Sequence, residues 1–235
     1  MRLSKNTTEF LKNFGSINQG ILVKPGKTIK TISSQKNLLS EATIEEDFES
    51  EFAIYDLNKF LSVVSLDRDE TPSIEFEENN IVIISNKGRS KVRYRFCAPN
   101  LINVPPETGI IMPSSDISFT ITSEDFDWVL RSSSVLSSPM IAIESEGTNI
   151  NFVTFDPQND AADSDTFQIP TNGNHIKFHV LFKSDVVNKL LPGTYDIVIS
   201  SKGVSQFNNK NLPIKYWLST EPGSTFFEKV YSWVR

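Results

Sequence analysis

The chain has 235 residues, enough for one large domain or two of about 100–150. Hydrophobic residues make up 38% and charged residues 22%, a balance that excludes a disordered chain. A net charge of -6 and a pI of 5.1 exclude a protein that coats nucleic acid by bulk charge, but not a local basic surface.

The first predicted element is a helix over "LSKNTTEFLKNF", capped by Ser4. Leu3, Thr7, Phe10, Leu11 and Phe14 recur on one helical face, and Lys5, Glu9 and Lys12 lie on the opposite stripe. Gly15 is expected to end it. Strand-like text follows in "GILVKPGKTIKTIS", turning at Pro25-Gly26. A second helix opens on Asp56 in "YDLNKFLSVVSL", with Leu57, Phe60, Leu61 and Val64 on one face. Strands follow in "SIEFEENNIVIISNKGRSKVRYRF", broken at Asn79-Asn80 and Lys87-Gly88. A third helix, "TSEDFDWVLRSSSVL", is capped by Ser123 and turns Phe126, Val129, Leu130 and Ser133 inward. A hairpin around Glu146-Gly147 comes next. A fourth helix in "KSDVVNKLLPG" is capped by Ser184, buries Val187, Leu190 and Leu191, and stops at Pro192-Gly193. Strands close the pattern in "YDIVISS" and "IKYWLS".

Four short capped helices, each followed by antiparallel strands, make an α+β chain. The repeat is too long for a solenoid. Between the second and third units, "CAPNLINVPPETGIIMPSSD" carries four prolines and neither period, which marks a linker. The expected domains are 1–98 and 117–220, joined by a linker at 99–116 and followed by a tail at 221–235. Each domain holds two helices packed on one side of antiparallel sheet.

Residues with catalytic potential are sparse. Cys97 is the sole cysteine, so no internal disulfide forms, as suits a reducing compartment. His175 and His179 share a strand face without a third ligand, a weak basis for a metal site. Asp67, Asp69 and Glu70 form a carboxylate group able to hold Mg²⁺, but they read better as a turn after the second helix. No phosphate-cradling glycine loop or Ser/His/Asp set accompanies them, so neither enzyme nor cofactor is expected. No apolar run reaches the roughly 18 residues of a membrane span, and the first residues lack a secretory core. A cytoplasmic protein is expected.

"GILVKPGKTI", "FAIYDLNKFLSVVSL" and "APNLINVPPETGIIMP" resemble the sliding clamps of T4-like bacteriophages, the processivity factors of phage DNA polymerases. The resemblance covers roughly Met1 to Ser219. It is most specific in "AIYDLN", while the second half matches mainly in plan. The tail "EPGSTFFEKVYSWVR" has no counterpart, although Phe226, Phe227, Val230 and Trp233 form an apolar stripe, expected to dock on its own subunit.

The resemblance implies a DNA-clamp fold and a homotrimeric ring around duplex DNA. An ATP-driven clamp loader opens it, and it tethers the polymerase and supports late transcription through transcription factors. Twelve helices about 10 Å wide make a ring with a bore of roughly 28 Å, whereas eight leave roughly 15 Å. A duplex about 20 Å across therefore favours three chains. The implied DNA-facing residues are Lys5, Lys12, Lys59, Arg131, Lys183 and Lys189. The first helix region carries a net +2, whereas the third carries -2 through Glu124, Asp125 and Asp127. A topological hold tolerates such weak attraction.

In "NKGRSKVRYRF", Lys91, Arg93 and Arg95 share a strand face opposite Val92, Tyr94 and Phe96. As a sheet edge in a ring, this basic strand is expected to meet Asp160, Asp163 and Asp165, near Asp156, on the neighbouring subunit. Val104, Ile110, Ile111 and Met112 are apolar in the linker and mark a docking surface for partner tails or a pin holding the linker down. The alternatives to a clamp are a non-enzymatic structural or virion β-rich protein and, less favoured, a metal-dependent nuclease.

Overall fold

Two units, Met1–Gly109 and Ile110–Arg235, divide the chain, and a computed structural model describes residues 1–66, 71–147, 149–159, 161–170 and 177–226. In the first unit, helix α1 (Lys5–Ile17) starts at Ser4, whose hydroxyl accepts from the Thr7 amide at 3.1 Å. Its 3.6-residue spacing buries Thr7, Phe10, Leu11, Phe14 and Ile17 on one face. That face packs against strands β2 (Gly26–Ile32) and β3 (Leu38–Phe48), which pair antiparallel. A bulge between Gly26 and Thr28 uses the positive φ of Gly26, +112°. Strand β1 (Ile21–Val23) pairs with β4 (Phe52–Ile54).

Along β3 the inward positions are Ala42, Ile44, Glu46 and Phe48. Glu46 is only 9% exposed. Its carboxylate accepts from the Ser4 amide and the Thr7 hydroxyl, at the helix end where the macrodipole favours an anion. This inward acid interrupts the apolar alternation by which a sequence announces a half-buried strand.

Helix α2 (Leu57–Val64) is capped by Asp56, whose Oδ1 accepts from the Lys59 amide at 2.9 Å. It buries Leu57, Phe60, Leu61 and Val64. Gly15 does not end α1 as expected, because the helix runs two residues further. A Cβ at Gly15 would lie 2.6 Å from Asn58 Oδ1, and Asn58 Nδ2 donates to the Gly15 carbonyl at 3.3 Å. Glycine here lets α2 approach α1. Strands β5 (Ser73–Phe76), β6 (Asn80–Ser85) and β7 (Ser90–Arg95) then form an antiparallel sheet that ends at β7.

In the second unit, helix α3 (Ser123–Val135) buries Phe126, Val129 and Ser133, with Leu130 half-buried. Its cap is Thr122 rather than Ser123: the Thr122 hydroxyl accepts from the Asp125 amide at 3.2 Å, while Ser123 has entered the helix. Strand β8 (Ile117–Ile121) pairs with β13 (Tyr195–Ser200), then β14 (Val204–Asn209) and β15 (Ile214–Ser219) follow, all antiparallel. A second sheet runs in the order β11 (Asp165–Pro170), β10 (Asn149–Phe155), β9 (Met140–Glu146), β12 (Lys177–Lys183) and β16 (Thr225–Phe226). The tail thus begins by pairing with its own unit. Phe227, Val230 and Trp233 lie outside the described residues.

The fourth helix is far shorter than its sequence period suggests. Helix α4 covers Ser184–Val187, with Lys183 rather than Ser184 at the cap position. The chain then tightens: Lys189 and Leu190 donate to the carbonyls three residues back, at 3.2 and 3.1 Å. Leu191 is held by two tyrosines instead of a helix, its carbonyl accepting from Tyr195 Oη and its amide donating to Tyr216 Oη. Both tyrosines are fully buried, and burial pushes the Tyr195 phenol well up.

Replacing Glu46 by Ala strips a buried hydroxyl and a half-buried amide of their acceptor and should lower urea-unfolding stability by about 1–3 kcal/mol. Glu46→Gln, which keeps one acceptor, should lose less. An unchanged midpoint in Glu46→Ala would mean that the apolar face alone holds α1.

Candidate functional site

Exposed cations on α1 and α2 form the first surface. Lys5 and Lys12 project from α1 and Lys59 from α2, all exposed. Among the described residues none of the three sits in an ion pair. The cations of the second unit are more engaged. Arg131 donates its Nε to the Asp127 carbonyl at 3.2 Å, on the helix that also carries Glu124 and Asp125. Lys183 Nζ lies 3.9 Å from Glu221 Oε2, and Lys189 is half-buried just beyond α4. Electrostatic attraction for phosphate is therefore stronger on the first unit.

The sheet edges form the second surface. Along β7, exposed Lys91, Arg93 and Arg95 alternate with half-buried Val92 and Tyr94. Tyr94 braces the strand on α2: its hydroxyl donates to the Asp56 carbonyl at 2.8 Å, and its ring meets Phe60 edge-on at 5.4 Å. Burial raises the Tyr94 phenol. Arg93 Nε lies 3.9 Å from Glu77 Oε2, a loose exposed pair. On the second unit β11 ends its sheet. Asp163 is exposed just before it, Asp165 starts it, and Asp160 lies outside the described residues. Asp156 is turned to local use, accepting from the Gln158 amide at 2.9 Å.

The third surface is the linker. Val104 is 48% and Ile111 85% exposed, while Ile110 and Met112 are half-buried. Three contacts hold the segment before Gly109 to the first unit. Asn18 Nδ2 donates to the Asn103 carbonyl at 3.1 Å. Ile102 is seated over Gly20, where a Cβ would meet its Cδ1 at 2.5 Å. Lys24 Nζ reaches Glu107 Oε1 at 2.5 Å. Beside this pair lies a cavity of about 300 Å³, with Leu22, Val104 and Pro105 in its wall. The hydrogen bond from Lys24 holds the Glu107 carboxyl below its ordinary range, and the same bond raises Lys24. Neither Ile102 nor the Lys24–Glu107 pair was legible from the sequence, because both depend on partners about 80 residues away.

Groups with catalytic potential lead nowhere similar. Burial pushes the Cys97 thiol up, away from a reactive thiolate. His179 Nδ1 lies 2.8 Å from Glu144 Oε2 on the adjoining strand. His175, Asp67, Asp69 and Glu70 lie outside the described residues. Among the described residues no group of three or more His, Cys, Asp or Glu could hold a metal ion, and no helix is long and apolar enough to cross a membrane.

Comparison with known proteins bears on the family and the fold. The model of the family described as DNA polymerase processivity factor matches residues 4–102. The sliding clamp of Enterobacteria phage T4 is 33% identical over 205 residues, covering 86% of this chain and 89% of that protein. That of Vibrio phage KVP40 is 29% identical over 232 residues, covering 94% and 99%. Solved structures share the fold at low identity. Proliferating Cellular Nuclear Antigen from Entamoeba histolytica matches with a TM-score of 0.63 at 12% identity, over 92% of this chain and 95% of that one. The Helicobacter pylori beta clamp bound to a DNA ligase peptide matches with a TM-score of 0.68 at 16% identity, over 94% of this chain but 65% of the bacterial one.

The Lys24–Glu107 tether should appear in solution as an acid-shifted Glu107 carboxyl in a ¹³C NMR titration. Because the folded value is depressed, the tether contributes above the ordinary carboxylate range and is lost as pH falls through the lowered value. In Lys24→Ala the Glu107 resonance should return upward to the ordinary glutamate range. If it titrates there already in the unmodified chain, the tether does not form.

Proposed function

The chain belongs to the sliding clamp family of DNA polymerase processivity factors, and from that premise we propose that three copies close into a ring around duplex DNA. The ring binds without sequence preference, is opened by an ATP-driven loader, and tethers a phage replicative polymerase without catalysing a reaction itself. Support for late transcription, with transcription factors on the same docking surface, belongs to this reading. So does a place in the host cytoplasm.

The observation that carries it is the pair of sheet edges. Among the described residues β7 ends a sheet of the first unit and β11 ends a sheet of the second, the first edge basic and the second acidic. Two different edges on one chain join head to tail, and head-to-tail joints generate rings when the rotation closes. Lys91, Arg93 and Arg95 of one copy meet Asp160, Asp163 and Asp165 of the next. Lys5, Lys12 and Lys59, with lesser help from Lys183 and Lys189, face the duplex, while Arg131, tied to the Asp127 carbonyl on the acidic third helix, contributes least. Lysine suits this role as a point charge that attracts phosphate without reading bases. Val104, Ile110, Ile111 and Met112 receive the apolar tail of a partner.

Light scattering on a sizing column should give about three times 26.5 kDa at micromolar concentration. Loader and ATP should then lengthen polymerase products. Lys5→Glu combined with Lys12→Glu should keep the trimer, shorten the products several-fold, and flatten the salt dependence of DNA retention. A chain that leaves product length unchanged with loader and polymerase from its own phage is not acting as a clamp.

Ile111→Asp should abolish polymerase capture with the trimer intact. Undiminished capture would move the docking surface away from the linker.

A further inference from the structure

We infer that Trp128 anchors the joint between one copy of this chain and the next. The inference rests on the ring reading and adds the residue that makes the joint specific.

The starting point is a pair of exposed apolar side chains on the outward side of a helix. Helix α3 buries Phe126, Val129 and Ser133, yet Trp128 is 54% and Val135 82% exposed. With Arg131 and Ser132 between them, they follow the i, i+3, i+4, i+7 spacing of a second face. This face and Asp165 line an open groove of about 450 Å³ beside β11, the last strand of its sheet. The indole is already oriented. Its Nε1 donates to Asp165 Oδ2 at 3.2 Å, and its ring lies 33° from the plane of Phe167 at 6.3 Å. A braced tryptophan loses little freedom on further burial, the condition under which aromatic anchors dominate an interface.

The occupant of the groove is the β7 edge of a second copy. The two edges are built alike: each end strand is fastened to its helix by an aromatic pair, Tyr94 with Phe60 on one and Trp128 with Phe167 on the other. They differ in charge, with Lys91, Arg93 and Arg95 on β7 against Asp163 and Asp165 on β11. Each unit also exposes an apolar side chain at the C-terminal end of the helix that braces its edge strand, Val135 on the second. On the first unit this is Leu66, two residues beyond α2 and 65% exposed. Joining β7 to β11 brings α2 of one copy alongside α3 of the next, so Leu66 covers Trp128 and Val135. Asp165 then holds the indole through Oδ2 and offers Oδ1 to a cation of β7. DNA is a poorer occupant, because Glu124, Asp125 and Asp127 on the same helix repel phosphate.

The test is dilution of the full chain in analytical ultracentrifugation. Trp128→Ala should raise the concentration at which the trimer dissociates by at least roughly tenfold. Trp128→Phe, which keeps the ring but loses the N–H, should fall between. Leu66→Asp should weaken the trimer as well, and its effect should not add to that of Trp128→Ala. As a readout independent of folding, the emission difference between the unmodified chain and Trp128→Phe should shift red on dissociation. Trimers of Trp128→Ala and Leu66→Asp that dissociate at the normal concentration would overturn the inference. So would an intact Trp128→Ala trimer that loses duplex retention or polymerase capture, which would assign the groove to DNA or a peptide. In both cases the ring reading stands. An unmodified chain that remains monomeric at every concentration overturns the ring reading, and this inference with it.

Discussion

A carboxylate lies inside the first unit, at the end of α1 where the helix leaves its first amides without partners. Glu46 reaches there from β3 and accepts from the Ser4 amide and the Thr7 hydroxyl, while the Ser4 hydroxyl takes the Thr7 amide. The apolar face of Phe10, Leu11 and Phe14 sets the rotation of α1 on the sheet. The carboxylate sets its position along its own axis. Gly15 then lets Asn58 bring α2 against α1 at a defined height. Lys5, Lys12 and Lys59 are presented from two helices that cannot slide past each other. With Glu46 in place, the positive end of α1 is already occupied by an anion. Attraction for phosphate must come from side chains, and long flexible lysines give it without register.

Unpaired strand edges are a hazard that proteins ordinarily blunt. Here one end of the second unit's five-stranded sheet is covered by the chain's own β16. The opposite end, β11, and the β7 end of the first unit are marked by charge instead. Two β7 edges would oppose six cations, and two β11 edges would oppose carboxylates. Only a mixed joint would relieve the repulsion, so the charge pattern accords with the proposed head-to-tail assembly rather than with a closed symmetric dimer. Charge of this kind steers and selects more than it holds. Holding falls to buried apolar contact.

Local signals were legible wherever both partners of an interaction sit within one turn. Ser4 and Asp56 cap helices because their hydrogen bonds close three residues away. The β7 charges alternate with Val92 and Tyr94, a period of two readable without any partner. The exposed apolar residues Val104 and Ile111 stood out among prolines. What stayed hidden depends on distant residues. The spacing of Val187, Leu190 and Leu191 is helical, yet Tyr195 and Tyr216 take the backbone groups that a longer α4 would have used. Glu46 made an inward strand position look outward. Trp128 sits in a helix like any apolar residue, and only Asp165 and Phe167, nearly 40 positions later, show that it faces out.

An acidic chain that opens on a basic helix is consistent once charge is assigned to surfaces. The α1 region carries a net +2 and α3 its acids, with Glu124 and Asp125 in the first turn, where they favour the helix dipole. In the proposed ring, attraction at each first unit would alternate with repulsion at each second. A ring of twelve equal helices needs four comparable helices per chain, and α4 is a single turn, so the lining of the proposed ring would be uneven in length as well as in sign. Neither unevenness weakens a topological hold, which needs no binding energy to keep the duplex inside. It lowers the depth of each electrostatic well. A shallow well repeated around the bore of the proposed ring would let the duplex pass from one set of lysines to the next at little cost, the condition for such a ring to travel with a polymerase.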